Sequence, residues 1–189
     1  PNCGFKFGTS GDEIIVDCCQ DEAGVHVSTP IITTTGTVTR NADSLTYPVA
    51  NVHATKNTVY HEVILSNVAA GQGRRSLGFT ADNNNRATYY YVDKAVRYGT
   101  GSSVEFTGSA TYSLGTAVKS IMRWENGSPG SAFVNGVKLT DTVSNVSVTP
   151  TIVDVGCATL TAQPYGNIKN VRIWPNTLLT DAQCIQLTS

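Results

Sequence analysis

The stretch "GNIKNVRIWPNTLLTDAQCIQLTS" (Gly166–Ser189) decides how the rest of the chain is read. Its first half, Gly166–Trp174, reads as a β-strand that stops at Pro175, whose ring cannot donate to a ladder. Thr180 and Gln183 then form a Thr-x-x-Gln capping box, in which each side chain satisfies a donor that a helix start leaves unpaired. Asp181 suits the positive end of the helix dipole. Leu179 before the cap and Cys184 after it occupy the positions of a hydrophobic staple. The helix so marked is about two turns long, and so short a helix is marginal by itself. It is expected to dock through Ile185 and Leu187, or through Leu178 and Leu179 before it.

Upstream, the pattern is strands and turns. "NTVYHEVILSNV" (Asn57–Val68) alternates, with Val59, His61, Val63 and Leu65 on one face and Tyr60, Glu62 and Ile64 on the other. Arg74–Asp82 and Arg86–Lys94 flank the polar loop Asn83–Asn85, which predicts a hairpin. Ser103–Tyr112 is a weaker strand. Ala117–Gly127 and Gly130–Thr140 form a second hairpin through "NGSPG", and "TIVDVG" is the next-to-last strand. Asp12–Cys18 reads as a further strand near the start. The Thr-rich Ser28–Pro48 reads as an extended connector entering a strand or edge, with a module boundary inside it. Strands at short intervals with no βαβ alternation predict an antiparallel sandwich. The organisation expected is residues 1–44 as N-terminal strands and connector, and 45–189 as the sandwich.

Composition removes several function classes. The 189 residues carry 13 basic and 14 acidic side chains, and no run of like charge exceeds two residues. Electrostatic capture of nucleic acid has no support in that distribution. No apolar run approaches the ~18 residues of a membrane span, and no secretory signal is visible. Pro1 in place of Met leaves two readings open, a removed initiator or a piece of a longer chain. The cysteines are Cys3, Cys18, Cys19, Cys157 and Cys184, an odd number without a CxxC pair. They read as scattered reduced thiols, which points to folding in a reducing cytosol and away from zinc.

Three segments in order, "SAFVNGVKL" (Ser131–Leu139), "VDVG" (Val153–Gly156) and Gly166–Leu187, resemble the laminin-G-like branch of the concanavalin-A-like jelly rolls. That family has an Asn-Gly hairpin turn, a strand ending in Gly, and a last strand leading through an aromatic-Pro or aromatic-Asn step into a Leu-Ser/Thr-Asp-Ala-Glu/Gln helix. The resemblance covers residues 45–188. It implies an all-β antiparallel jelly-roll sandwich with one short C-terminal helix. Gln183 and Cys184 stand where Glu and Leu or Ile are commoner. The connector Ser28–Pro48 followed by "NTVYHEV" is similar to one in bacteriophage tail and other virion proteins, where it joins a carbohydrate-binding-module-like sandwich to a lectin-like jelly roll. "QDEAG" (Gln20–Gly24) resembles the turn that ends such an upstream module, so residues 1–27 read as its last strands or a remnant.

Some sandwiches of this kind hydrolyse glycosides, which by a retaining route needs two carboxylates about 5–5.5 Å apart. None of Glu13, Glu22, Glu62, Glu105 and Glu125 has a carboxylate two positions later. The histidines His26, His53 and His61 show no metal-ligand spacing, and no Gly-x-Ser-x-Gly elbow occurs. "GQGRRSLG" (Gly71–Gly78) holds a Gly-x-Gly without a following helix, so it is not a phosphate loop. Catalysis is therefore not expected.

What remains is binding. "DNNNRATYYY" (Asp82–Tyr91) combines aromatic rings with polar side chains, the two kinds of group that hold a sugar. Alternation sets Tyr89 and Tyr91 on one face and Tyr90 on the other. The candidate ligand residues are Arg74, Arg75, Asn83, Asn84, Arg86, Tyr89, Tyr91 and Tyr98. The alternative is that the inward tyrosines are core and the outward ones cover a neighbouring strand. Trp124, on a face with Val118 and Met122, is expected in the core, and Trp174 beneath the terminal helix. No cofactor is required. Some members of the resembled family hold calcium, for which Asp82, Asp93 and Asp141 would be the ligands here, but they are isolated and calcium takes 6–8 oxygens.

The expectation is a non-catalytic module on the surface of a phage virion, made in the host cytoplasm, whose partner is a cell-surface glycan. The alternatives are a structural module contacting other virion subunits or its own copies, and a glycan-degrading enzyme.

Overall fold

Strong alternation is realised as strands wherever a face must be buried. The computed structural model describes residues 45–67, 74–79, 85–90, 95–100, 105–139, 147–156 and 165–189, all within a unit spanning Ala42–Ser189. Among them the strands are β1 (Leu45–Tyr47), β2 (Lys56–Asn67), β3 (Arg74–Gly78), β4 (Asn85–Tyr90), β5 (Ala95–Thr100), β6 (Glu105–Thr111), β7 (Ala117–Glu125), β8 (Ser131–Val134), β9 (Val137–Lys138), β10 (Val153–Val155) and β11 (Tyr165–Pro175). One 3-10 turn (Val49–Asn51) and one helix, α1 (Asp181–Thr188), complete them. The strands form a six-stranded sheet, β1-β10-β3-β4-β5-β6, and a five-stranded sheet, β11-β2-β7-β8-β9, with every pairing antiparallel.

The main core lies between the sheets. β2 contributes Val59, Val63 and Leu65, β7 contributes Val118, Met122 and Trp124, and the six-stranded sheet contributes Leu77 and Val153, with Phe79 just past the end of β3. Phe79 and Trp124 meet tilted, with ring centroids 5.2 Å apart, a favoured aromatic geometry. His61 belongs to this inner face as its alternation predicts, fully buried, with Nε2 2.7 Å from Ser76 Oγ. Burial pushes its pKa down to about 3, so the ring is neutral in the folded protein.

A second, smaller core covers the outer side of the five-stranded sheet. Tyr60, Ile121 and Phe133 point away from the first core and are buried by Cys184, with Trp174, Leu179 and Leu187 packed around them. The capping box forms as the sequence predicts. Gln183 N donates to Thr180 Oγ1 at 3.3 Å, and Thr180 N donates to Gln183 Oε1 at 2.9 Å. Asp181 is held by Arg123 and by Lys138, the latter at 2.7 Å, and Arg123 also donates to the Leu179 carbonyl.

The anchors of the helix differ from the expectation. Ile185 and Leu178 are each 38 % exposed, whereas Cys184 and Thr188 are buried. The capping box fixes the helix start at Asp181, and the 3.6-residue period then turns positions 184, 187 and 188 to the sheet and rotates Ile185 off that stripe.

The Asn-Gly turn between β8 and β9 holds Asn135 at φ 46 and Gly136 at φ 79, the two left-handed residues a tight hairpin requires. The 45–47 end of the Thr-rich connector is the edge strand β1, paired with β10. Strand β5 carries no sequence signal of its own: Arg97 and Gly99 interrupt any apolar alternation in "AVRYGT". Asp12–Cys18, the rest of the connector and the remainder of residues 1–44 lie outside the described residues.

Candidate functional site

The six-stranded sheet turns one face to the core and one away from it. Val153 is buried in the core and Val155 packs against it, so alternation sets Asp154 on the outer face. Asp154 stands opposite Thr46 on one side and Gly78 on the other. Gly78 stands opposite Arg86, Arg86 opposite Gly99, and Gly99 opposite Glu105. Directly opposed residues share a face. One outer row therefore crosses all six strands: Thr46, Asp154, Gly78, Arg86, Gly99, Glu105.

A second row is built the same way. Leu77 is a core residue and pairs with Thr88, so Tyr89, the next residue of β4, belongs to the outer face. Tyr89 stands opposite Arg75 on one side and Arg97 on the other, and Arg97 stands opposite Thr107. The register step between Arg75 and Leu77 is taken up by Ser76, whose hydroxyl meets His61 in the interior. This bulge is what lets the strand keep both Ser76 and Leu77 inside and Arg75 on the outer row. At about 4.8 Å between strands, Arg75 and Arg97 flank Tyr89 with Cα atoms roughly 10 Å apart.

The structure thus brings together Arg75, Arg86 and Tyr89 from the sequence candidates and adds Arg97, Gly78, Gly99 and Asp154. It does not bring in Arg74 and Tyr98. Arg74 pairs with Tyr90, and Tyr98 with Phe106, in rows that alternate with the Tyr89 row. Asn83, Asn84 and Tyr91 lie outside the described residues, as do Asp82, Asp93 and Asp141. "VDV" carried a signal for Asp154, a carboxylate between two core valines. The others depend on cross-strand register, which sequence does not show.

Asp154 is the unusual member. Its side chain faces away from the core, yet the residue is only 5 % exposed. Burial raises its pKa above the ordinary carboxylate value. Beside it, Gly78 and Gly99 remove side-chain bulk from the same row, a usual mark of close approach by a ligand.

Glu62, Glu125 and Asp181 are each occupied. Glu62 Oε1 accepts from Tyr60 at 2.6 Å and from Asn170 at 2.8 Å, with Lys169 3.5 Å from Oε2. These bonds, the Tyr60 one first, hold Glu62 below the usual carboxylate range. Glu125 pairs with Lys56 at 3.5 Å, and Asp181 with Lys138 and Arg123. Among the described residues no group of three His, Cys, Asp or Glu could hold a metal ion.

A concavity of about 710 Å³ lies between the β1-β10 edge and β11. Its walls are largely apolar, with Leu45, Tyr47, Val155, Ile168 and Ile173 against Lys169 and Asn170. Leu45 and Tyr47 are each 50 % exposed.

No protein-family model matches the chain, and no curated protein sequence matches it. Solved structures do. Domain 4 of AbnA, a GH43 extracellular arabinanase from Geobacillus stearothermophilus, in complex with arabinotriose, superposes at TM-score 0.56 and 17 % identity over 77 % of this chain and 72 % of that one. The IT-sialidase CBM40 of Ruminococcus gnavus gives 0.56 at 13 %, covering 72 % and 84 %. The native heptameric SAP-like pentraxin of Limulus polyphemus gives 0.55 at 15 %, covering 72 % and 70 %. At these identities the likeness is one of fold. The chain is a jelly-roll β-sandwich with a short C-terminal helix.

Proposed function

We propose that this chain is a non-catalytic glycan-binding module and that the sugar lies on the outer face of the six-stranded sheet. The observation that carries the reading is Asp154, a carboxylate on the outer face, only 5 % exposed and set beside Gly78 in a row that crosses the sheet. A carboxylate held there is ready to accept hydroxyl hydrogens. Register sets Tyr89, Arg75, Arg86 and Arg97, residue types that suit a sugar, on the strands of that face. Two structural neighbours support the reading, one solved with arabinotriose and one a carbohydrate-binding module.

Spacing supports binding over hydrolysis. Asp154 and Glu105, the two carboxylates of the outer row, are four strands apart, roughly 19 Å at the sheet's strand spacing. Glycosidases set their pair at about 5–9.5 Å. Placement of the module on a phage virion rests on the resemblance of the Ser28–Pro48 connector.

The test is a glycan array probed with the native chain and with Asp154→Asn. Loss of one hydrogen bond to a charged group, about 1.5–3 kcal/mol, predicts at least tenfold weaker binding by the variant. A folded protein that retains no glycan sinks the proposal.

The apolar cleft beside Leu45 and Tyr47 favours a second reading, contact with another protein subunit, since sugars seek polar partners and this cleft offers few. Under that reading Tyr47→Ser abolishes subunit association while Asp154→Asn leaves it intact.

A further inference from the structure

We propose that Asn135 is a site of spontaneous covalent modification: it deamidates through attack of the Gly136 backbone nitrogen, and docking of helix α1 holds that reaction back. The site lies at the β8–β9 turn of the five-stranded sheet, and its chemistry depends on no ligand.

Asparagine followed by glycine is especially prone to this reaction, because a glycine without a Cβ lets its own amide nitrogen reach the preceding carboxamide. The chain has two such pairs, Asn126-Gly127 and Asn135-Gly136. The fold treats them differently. Asn126 is held at both ends of its carboxamide. Its Nδ2 donates to the Val148 carbonyl at 2.9 Å, and its Oδ1 accepts from Val148 N at 2.9 Å. Nδ2 is the atom that must leave as ammonia, so this clamp opposes reaction. Asn135 is exposed, and among the described residues its carboxamide is held at Oδ1 alone, which accepts from Lys119 N at 2.9 Å.

At Asn135 the nucleophile is restrained instead. Gly136 N donates to Thr188 Oγ1 at 3.1 Å, and Thr188 is buried in the last turn of α1. Thr188 Oγ1 in turn donates to the Cys184 carbonyl at 2.8 Å, which fixes its direction. A helix of eight residues is marginal by itself, so its undocking is a local opening that the sandwich survives. Gly136 N then loses its partner. Once solvent hydroxide removes its proton, the nitrogen bonds to Asn135 Cγ, the Cγ–Nδ2 bond breaks, and ammonia leaves with a proton from water. Water opens the resulting cyclic imide at one carbonyl or the other, giving aspartate or isoaspartate. Isoaspartate carries the main chain through Cγ and so adds a carbon to a turn whose two residues sit at φ 46 and φ 79. The lengthened turn no longer presents Gly136 N to Thr188, so the modification keeps the helix loosened.

The test is peptide mapping by mass spectrometry of the full chain incubated at pH 8. Deamidation of Asn135 at least fivefold faster than of Asn126 is expected in the native chain, with the two rates converging in urea. Thr188→Val, which keeps the side chain's shape and removes the acceptor, is expected to speed Asn135 at least fivefold and to leave Asn126 unchanged. Leu179→Asp, which loosens the same helix from its other end, is expected to do likewise. Thr188→Ser, which keeps the hydroxyl, is expected to stay within twofold of the parent. A native rate at Asn135 no faster than at Asn126 overturns the inference. So does an Asn135 rate that neither Thr188→Val nor Leu179→Asp moves. Equal acceleration of both sites in these variants reports opening of the whole sandwich and overturns the helix as the gate.

Discussion

Asp154 and His61 show how single residues on the two faces of one sandwich behave oppositely. Asp154 has a folded pKa above its unfolded value. Such a carboxylate weakens the fold as pH rises through that folded value, because the native state then holds a charge it disfavours. Asp154→Asn is therefore predicted to raise the melting temperature at pH 7, with the two proteins converging near pH 3, even as glycan binding falls. Scanning calorimetry across that range checks it, and a variant less stable than the parent at pH 7 would show that the carboxylate serves the fold. That trade, stability given up at a site that needs a buried carboxylate, is common where proteins bind.

His61 runs the other way. Its pKa falls from 6.5 to about 3 on folding, so the unfolded chain binds the extra proton between those values. Stability contributed by the neutral ring is present above pH 6.5 and is lost as pH falls toward 3. His61→Gln, which keeps a polar partner for Ser76, is predicted to flatten the pH dependence of stability between 6.5 and 4.5, above the ordinary range of the carboxylates. Urea midpoints at pH 7 and pH 5 measure this. An undiminished slope in the variant would assign the acid loss to other groups.

At the scale of elements, the C-terminal clasp is the best-specified piece of the molecule. Thr180, Gln183 and Leu179 announced it, and each makes the contact its position implied. The anchor was less legible. Four apolar residues, Leu178, Leu179, Ile185 and Leu187, offered themselves. Only the helical phase set by the capping box shows that Cys184, Leu187 and Thr188 face the sheet while Ile185 does not. Leu179→Asp is predicted to cost about 1–3 kcal/mol and Ile185→Asp less than about 0.5 kcal/mol. Chemical denaturation of both variants decides it, and equal losses would refute this account of the docking face. Strand β5 was illegible for a different reason. Its partners on both sides supply its structure, so its own "AVRYGT" needs little apolar alternation.

At the scale of the whole molecule, the sandwich could be read from Asn135-Gly136, "VDVG" and the final strand and helix because those residues satisfy local rules of turn, strand end and cap. The binding face could be read only in part. Tyr89, Arg75 and Arg86 drew notice as aromatic and basic residues, but rows across a sheet are set by register, and a bulge such as the one at Ser76 shifts register without any loud sequence mark. Asp154 was not among the sequence candidates, because its place beside Gly78 depends on pairing across the strands.

The central claim is that sugar lies on the outer face of the six-stranded sheet. Backbone amide shift mapping, during titration with the tightest ligand from the array, tests it most directly. The account predicts perturbations concentrated on Gly78, Tyr89, Arg97 and Asp154. Perturbations concentrated instead on Leu45, Tyr47, Ile168 and Ile173 would place the ligand in the apolar cleft and contradict it.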